Sequence, residues 1–167
     1  MELKELTEKT CELFNIESPE ELKSVLLDAC HDEKILNAFV ELVDGDLSQD
    51  WLQKIYQYYL SDRKEKKQDY TPACLASFMG KLAGNSEEIT DLCAGSGALI
   101  IQKWKQNPDT RFEAIELDDN VIPFLIFNMV VRNISCRVIK MDAIRDDKAE
   151  HTWYIQKGER FGKVIDL

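Results

Sequence analysis

The 167-residue sequence has no Cys-x-x-Cys pair, only two histidines, and no apolar run long enough to cross a bilayer. His31 and His151 lie far apart, and the cysteines (Cys11, Cys30, Cys74, Cys93 and Cys136) are odd in number. Neither a zinc site nor a disulfide framework is therefore expected. Reduced, buried thiols in a cytoplasmic protein fit this usage. The longest apolar stretch, Val121 to Val131, is broken by Asn128 and falls short of the roughly 20 residues of a spanning helix. Met1-Glu2-Leu3-Lys4-Glu5 opens no apolar h-region, so neither a secretory signal nor membrane association is expected. Repeats and low-complexity segments are absent.

Basic charge is scarce in the first third. Residues 1–60 hold fourteen acidic side chains against five basic ones, within a net charge of −10 for the whole chain. An acidic arm repels phosphate, so this chain alone is expected to bind nucleic acid poorly. A nucleic-acid substrate recognised through other chains or segments stays open. With 44% hydrophobic and 31% charged residues, the composition is that of a soluble globular protein of about one domain.

Residues 2 to about 60 read as three or four amphipathic helices. Leu3, Leu6, Thr10 and Phe14 share one stripe. Ser18-Pro19-Glu20-Glu21 is a helix start, with a serine cap, proline at the first position and acids in the first turn. Leu22, Val25, Leu26 and Ala29 face inward next, then Ile35, Phe39 and Leu42. Asp46 or Ser48 is expected to cap a helix bearing Trp51, Leu52, Ile55, Tyr56, Tyr59 and Leu60. The charged stretch that follows marks a boundary. The organisation expected is a helical region over residues 1–62, a linker over 63–69 and a second unit over 70–167.

That second unit is built around residues 88–100. Ile89 to Asp91 read as a strand, Ala94-Gly95-Ser96-Gly97 as a tight turn, and Ala98 onward as a helix. A strand, glycine turn and helix bring bare backbone and helix N–H groups up to a ligand. Upstream, Thr71 caps a helix with Pro72 at its first position. Downstream come a strand over residues 111–116, a buried helix to about Arg132 and a strand over residues 136–141. Further strands are expected near His151–Ile155 and Gly162–Leu167. Alternating strands and helices predict a parallel, doubly wound sheet.

Three acids, Asp91, Glu116 and Asp142, fall at the carboxyl ends of these strands, where such sheets bind ligands. Glu116 follows Gly97 at about the separation that lets an acid reach a ribose diol. A dinucleotide fingerprint would need glycine where the chain has Ile100. An acid at the entrance of the turn suits a cationic nucleoside ligand rather than a pyrophosphate, and Asp142-Ala143 could accept from an adenine amino group.

Asp69-Tyr70-Thr71-Pro72, Asp91-Leu92-Cys93-Ala94-Gly95-Ser96-Gly97, Ile115-Glu116-Leu117 and Met141-Asp142-Ala143 occur in the order found in N6-adenine DNA methyltransferases. The chain resembles most the modification subunit of type I restriction–modification systems, over about residues 68–167. Phe127-Asn128-Met129-Val130-Val131-Arg132-Asn133-Ile134 resembles the helix end after the second strand there. The resemblance implies a Rossmann-like α/β methyltransferase fold, here an incomplete parallel sheet preceded by a helical region. Its implied cofactor is S-adenosyl-L-methionine. Tyr70 and Thr71 would hold the methionine end, and Asp91 with Ala94, Gly95, Ser96 and Gly97 would form the floor. Glu116 and Leu117 would lie at the ribose, and Asp142 and Ala143 at the adenine.

The family's Asn-Pro-Pro-Tyr/Phe loop has no counterpart, because no two prolines are adjacent. The expectation is a cofactor-binding part ending before that loop and inactive alone. DNA would be a partner of the full-length protein. Specificity or restriction subunits and a homodimer are further possible partners. A non-catalytic interaction module is the alternative, as is a fragment of an RNA or protein-glutamine methyltransferase.

Overall fold

The structure is a computed structural model that describes residues 1–61, 71–145 and 148–166. The helical region comprises α1 (Leu3–Phe14), α2 (Leu22–Ala29), α3 (Glu33–Leu42) and α4 (Trp51–Ile55), the last continuing into a π-turn over Tyr56–Leu60. The start at Ser18 forms as its residues dictate. Pro19 opens a 3-10 turn, and the Ser18 N–H donates to Glu21 Oε1 at 3.0 Å. The cap of α4 is neither Asp46 nor Ser48. Asp50 accepts from the Gln53 N–H at 2.9 Å, while Asp46 is turned back onto the Ser48 N–H and hydroxyl. The linker expected over 63–69 lies outside the described residues.

Next come α5 (Ala73–Leu82), β1 (Glu88–Asp91), α6 (Ala98–Gln106), β2 (Arg111–Glu116), α7 (Ile122–Val131), β3 (Cys136–Lys140), β4 (His151–Gln156) and β5 (Lys163–Asp166). Thr71 does not cap α5. Pro72, extended at ψ 143°, takes the N-cap position itself, and the helix starts one residue later than expected.

The five strands lie in the order β1-β2-β3-β4-β5. β1, β2 and β3 are parallel, with Asp91 level with Ala114 and Glu116 level with Lys140. The fully parallel sheet expected from the sequence is corrected here: β4 runs antiparallel to β3, and β5 antiparallel to β4. Connection length is the physical reason. Only ten residues (141–150) and six (157–162) join these strands, and a parallel return needs a crossover of about a dozen residues or more. The final strand therefore folds back as a hairpin beyond β3 instead of crossing to the far side of β1. Among the described residues β1 is an edge strand, and α5 beside it exposes Leu75, Phe78, Met79 and Leu82.

Helix α7 is buried along its whole length and joins the two halves of the chain. Phe127 meets Phe14 and Phe39 edge-on at 5.6 and 5.1 Å, and Phe124 meets Tyr56 at 5.0 Å. Trp51 and Tyr56 are thereby buried within the chain's own core, leaving Tyr58 and Tyr59 exposed. No helix of the described residues is long and apolar enough to cross a membrane.

Candidate functional site

The turn after β1 is fixed at both ends. The Ala94 N–H donates to the Ile115 carbonyl at 2.9 Å, locking the turn onto β2. Gly95 and Gly97 both take left-handed backbone, at φ 56° and 94°, which glycine adopts without steric cost. A Cβ on Gly97 would lie 2.8 Å from the Met129 ε-methyl and 3.0 Å from Leu125. Packing of α7 beneath the turn is thus an intramolecular reason for this glycine, besides the approach of a ligand. Gly97→Ala is expected to lower the unfolding free energy by about 1–3 kcal/mol. A denaturation midpoint equal to that of the unsubstituted chain would contradict it.

Glu116 closes β2 and clamps two turns together. Its Oε2 accepts from the Gly95 N–H at 2.8 Å, and its Oε1 from the Leu117 and Asp118 N–H groups at 2.9 and 2.8 Å. Three of its roughly four acceptor positions are thus filled, and Oε2 keeps room for one more donor. Asp142, just past β3, accepts from the Ile144 and Arg145 N–H groups at 3.0 and 3.2 Å.

Asp91, at the end of β1, is incompletely hydrogen-bonded. One oxygen accepts from the Cys93 N–H at 3.3 Å, and the other is buried with no hydrogen-bond partner. Burial, followed by the neighbouring Glu116 charge, pushes its carboxyl above the usual range. The Cys93 thiol is likewise raised, by burial first and then by Glu116, Asp91 and Asp142. The parallel register of β1, β2 and β3 sets these three acids, distant in sequence, at the same end of the sheet. A donor or cation placed there would relieve Asp91.

Around this rim the other expected residues fall as follows. Ala94, Ser96 and Gly97 are buried in the turn, Leu117 is exposed beside Glu116, and Ala143 is half-buried beside Asp142. Thr71 is half-buried at the foot of α5, lining a cavity with α4 and α6. Tyr70 lies outside the described residues. Beside the edge strand β1 lies an apolar groove of about 420 Å³, whose lining includes Met79, Ile89, Leu92 and Leu99.

A sequence model of the N-6 DNA methylase family matches residues 47–165. The chain belongs to that family. No curated protein and no solved structure matches it. The match to the methylase family begins before α4, so the last helix of the arm falls within it.

One network beside the glycine turn was not foreseen from the sequence. Asn128, on the buried face of α7, donates to the Ser96 carbonyl at 2.9 Å and to Asp50 Oδ1 at 3.0 Å. Arg132, one turn on, donates to the Asn128 side chain (2.8 Å) and to the Leu47 and Gln49 carbonyls at 2.8 and 2.7 Å. Burial pushes the Asp50 carboxyl up and the Arg132 guanidinium down to about 10, each offset in part by the other's charge. The sequence signal was a lone Asn in an otherwise apolar helix, followed four residues later by Arg.

Proposed function

We propose that this chain is the cofactor-binding part of a DNA adenine-N6 methyltransferase, of the kind that serves as the modification subunit of type I restriction–modification systems. S-adenosyl-L-methionine is the cofactor in this reading. The observation that carries it is the rim itself: a left-handed glycine turn held by Glu116, with Asp91 and Asp142 at the ends of β1 and β3 and a buried, unpartnered Asp91 oxygen.

The residues fit such a group. Ala94 to Gly97 offer a floor free of large side chains, and the remaining lone pair on Glu116 Oε2 is available to a ribose hydroxyl. Asp142 would accept from the adenine amino group, with Leu117 and Ala143 as apolar neighbours of the ring. Thr71, and Tyr70 before it, would hold the methionine end. When bound, the cofactor supplies a methyl group on a positively charged sulfur, and the acidic rim favours that charge. A 2′-phosphate or a pyrophosphate would be repelled there.

The target adenine must leave the helical stack to be methylated. The sequence has no Asn-Pro-Pro-Tyr/Phe element to grip it, so the role assigned to these residues is cofactor binding. DNA, specificity or restriction subunits, and a second copy of the chain are the proposed partners of the protein carrying this part. The exposed apolar stripe of α5 beside the free edge of β1 supports such association. Calorimetric titration tests the cofactor assignment. S-adenosylmethionine and its demethylated product are expected to bind more tightly than NADP, and tighter NADP binding would overturn the reading.

A further inference from the structure

A cavity of about 280 Å³ lies between α4, the foot of α5 and the start of α6. That is just under the range of whole small-molecule sites, about 300–1,000 Å³, and suits one end of a ligand. Its polar lining includes Gln53, Gln57, Gln102, Thr71, Asp50 and Lys54. Asp50, Gln53, Lys54 and Gln57 recur at the three- and four-residue spacing that places them on one helix face. Amides and a hydroxyl both donate and accept, and two opposite charges stand one turn apart.

Three features set the polarity of what this cavity takes. Asp50 is buried and uses Oδ1 for the Gln53 N–H and Asn128, while Oδ2 has no hydrogen-bond partner. The Ser96 hydroxyl, also without a partner of good geometry, sits close enough to Asp50 to favour its charged form. Among the described residues, Lys54 is the single cationic side chain of the lining; it lies over the Trp51 ring at 4.1 Å and reaches Gln49 Oε1 at 3.4 Å. The adjoining rim of Asp91, Glu116 and Asp142 is wholly anionic. A ligand carboxylate is therefore repelled from the rim and attracted toward Lys54. Asn128 joins Asp50 to the Ser96 carbonyl, so the cavity abuts the glycine turn. The π-turn that carries Gln57 follows directly, a distortion frequent at functional sites.

Resting on the cofactor reading above, we infer that the helical arm completes the cofactor site. In this assignment the face of α4 bearing Asp50, Gln53, Lys54 and Gln57 receives the amino-acid end of the ligand, with Lys54 on its carboxylate and Asp50 on the side of its ammonium. Half of the recognition then comes from a region that reads, in sequence, as a separate acidic arm.

The test compares S-adenosylhomocysteine with 5′-methylthioadenosine, which keeps the nucleoside and lacks the amino-acid end. Both are titrated calorimetrically into the full chain and into Lys54→Gln and Lys54→Arg. Lys54 is exposed, so folding is expected to survive, and thermal melts of each variant verify it. Lys54→Gln is expected to weaken S-adenosylhomocysteine about tenfold and to leave methylthioadenosine unchanged, with Lys54→Arg restoring most of the loss. An unchanged S-adenosylhomocysteine affinity, or an equal loss for both ligands, would overturn the inference while the cofactor reading stood. Equal affinity of the unsubstituted chain for both ligands would do the same. Binding of neither ligand would remove the cofactor reading itself, and this inference with it.

Discussion

Arg132→Ala is expected to destabilise the protein by about 3–5 kcal/mol, the usual cost of leaving a buried charge without its partner. The guanidinium is fully enclosed and donates to the Leu47, Gln49 and Asn128 carbonyls and to the Asn128 side chain. Its removal strands those acceptors and takes away the positive charge that offsets burial of Asp50. The variant should also show a distinct pH response. Burial raises the Asp50 carboxyl in the folded state above its unfolded value, so the folded state binds the proton more tightly. Stability from that group is then present at low pH and lost as pH rises through the folded value. Without Arg132 the folded value rises further, so mild acidification should recover part of the loss. Urea titrations of both proteins at neutral and mildly acidic pH measure this. A loss below about 1 kcal/mol, or a loss that deepens on acidification, would contradict the network described.

Glu116→Ala is expected to weaken S-adenosylhomocysteine by about 1–3 kcal/mol, the cost of stranding buried polar partners. The reasoning is local. The carboxylate holds the Gly95, Leu117 and Asp118 N–H groups at once, so its loss frees both turns that flank the rim. Glu116→Gln is a sharper probe, since an amide keeps one acceptor and presents its NH₂ to N–H groups that need an oxygen. Weakened binding in both variants is the expected outcome. Unchanged affinity in both, measured calorimetrically, would remove Glu116 from the site.

What the sequence made legible was mostly local. Asp91, the Ala94–Gly97 turn and Glu116 could be placed because glycine at left-handed positions and acids at strand ends announce themselves over a few residues. The boundaries of β1, β2 and β3 followed for the same reason. Strand direction is a tertiary matter, and the expectation of a fully parallel sheet failed at β4 and β5. The short connection over residues 141–150 is the feature that points to a hairpin.

The Asp50–Asn128–Arg132 network was harder to see. Its members are separated by 78 residues between Asp50 and Asn128, and no local pattern pairs them. Asp46 and Ser48 were the cap candidates read from the sequence; Asp50 takes that place, where Asn128 of α7 also reaches it. The same docking covers Trp51 and Tyr56 within the chain. Function divides likewise. The cofactor rim could be argued from spacing, whereas the role proposed for the arm rests on the cavity that α4, α5 and α6 line together.

The central claim is that the rim of Asp91, Glu116 and Asp142 around the glycine turn is where a nucleoside cofactor sits. A two-dimensional amide NMR titration of the chain with S-adenosylhomocysteine tests it most directly, at a mass of 19.3 kDa suited to the method. The account predicts the largest shifts at Gly95, Ser96, Gly97, Leu117, Asp118 and Ala143, with smaller ones at Gln53 and Gln57. Shifts confined to the hairpin of β4 and β5, or no shifts at saturating ligand, would contradict it.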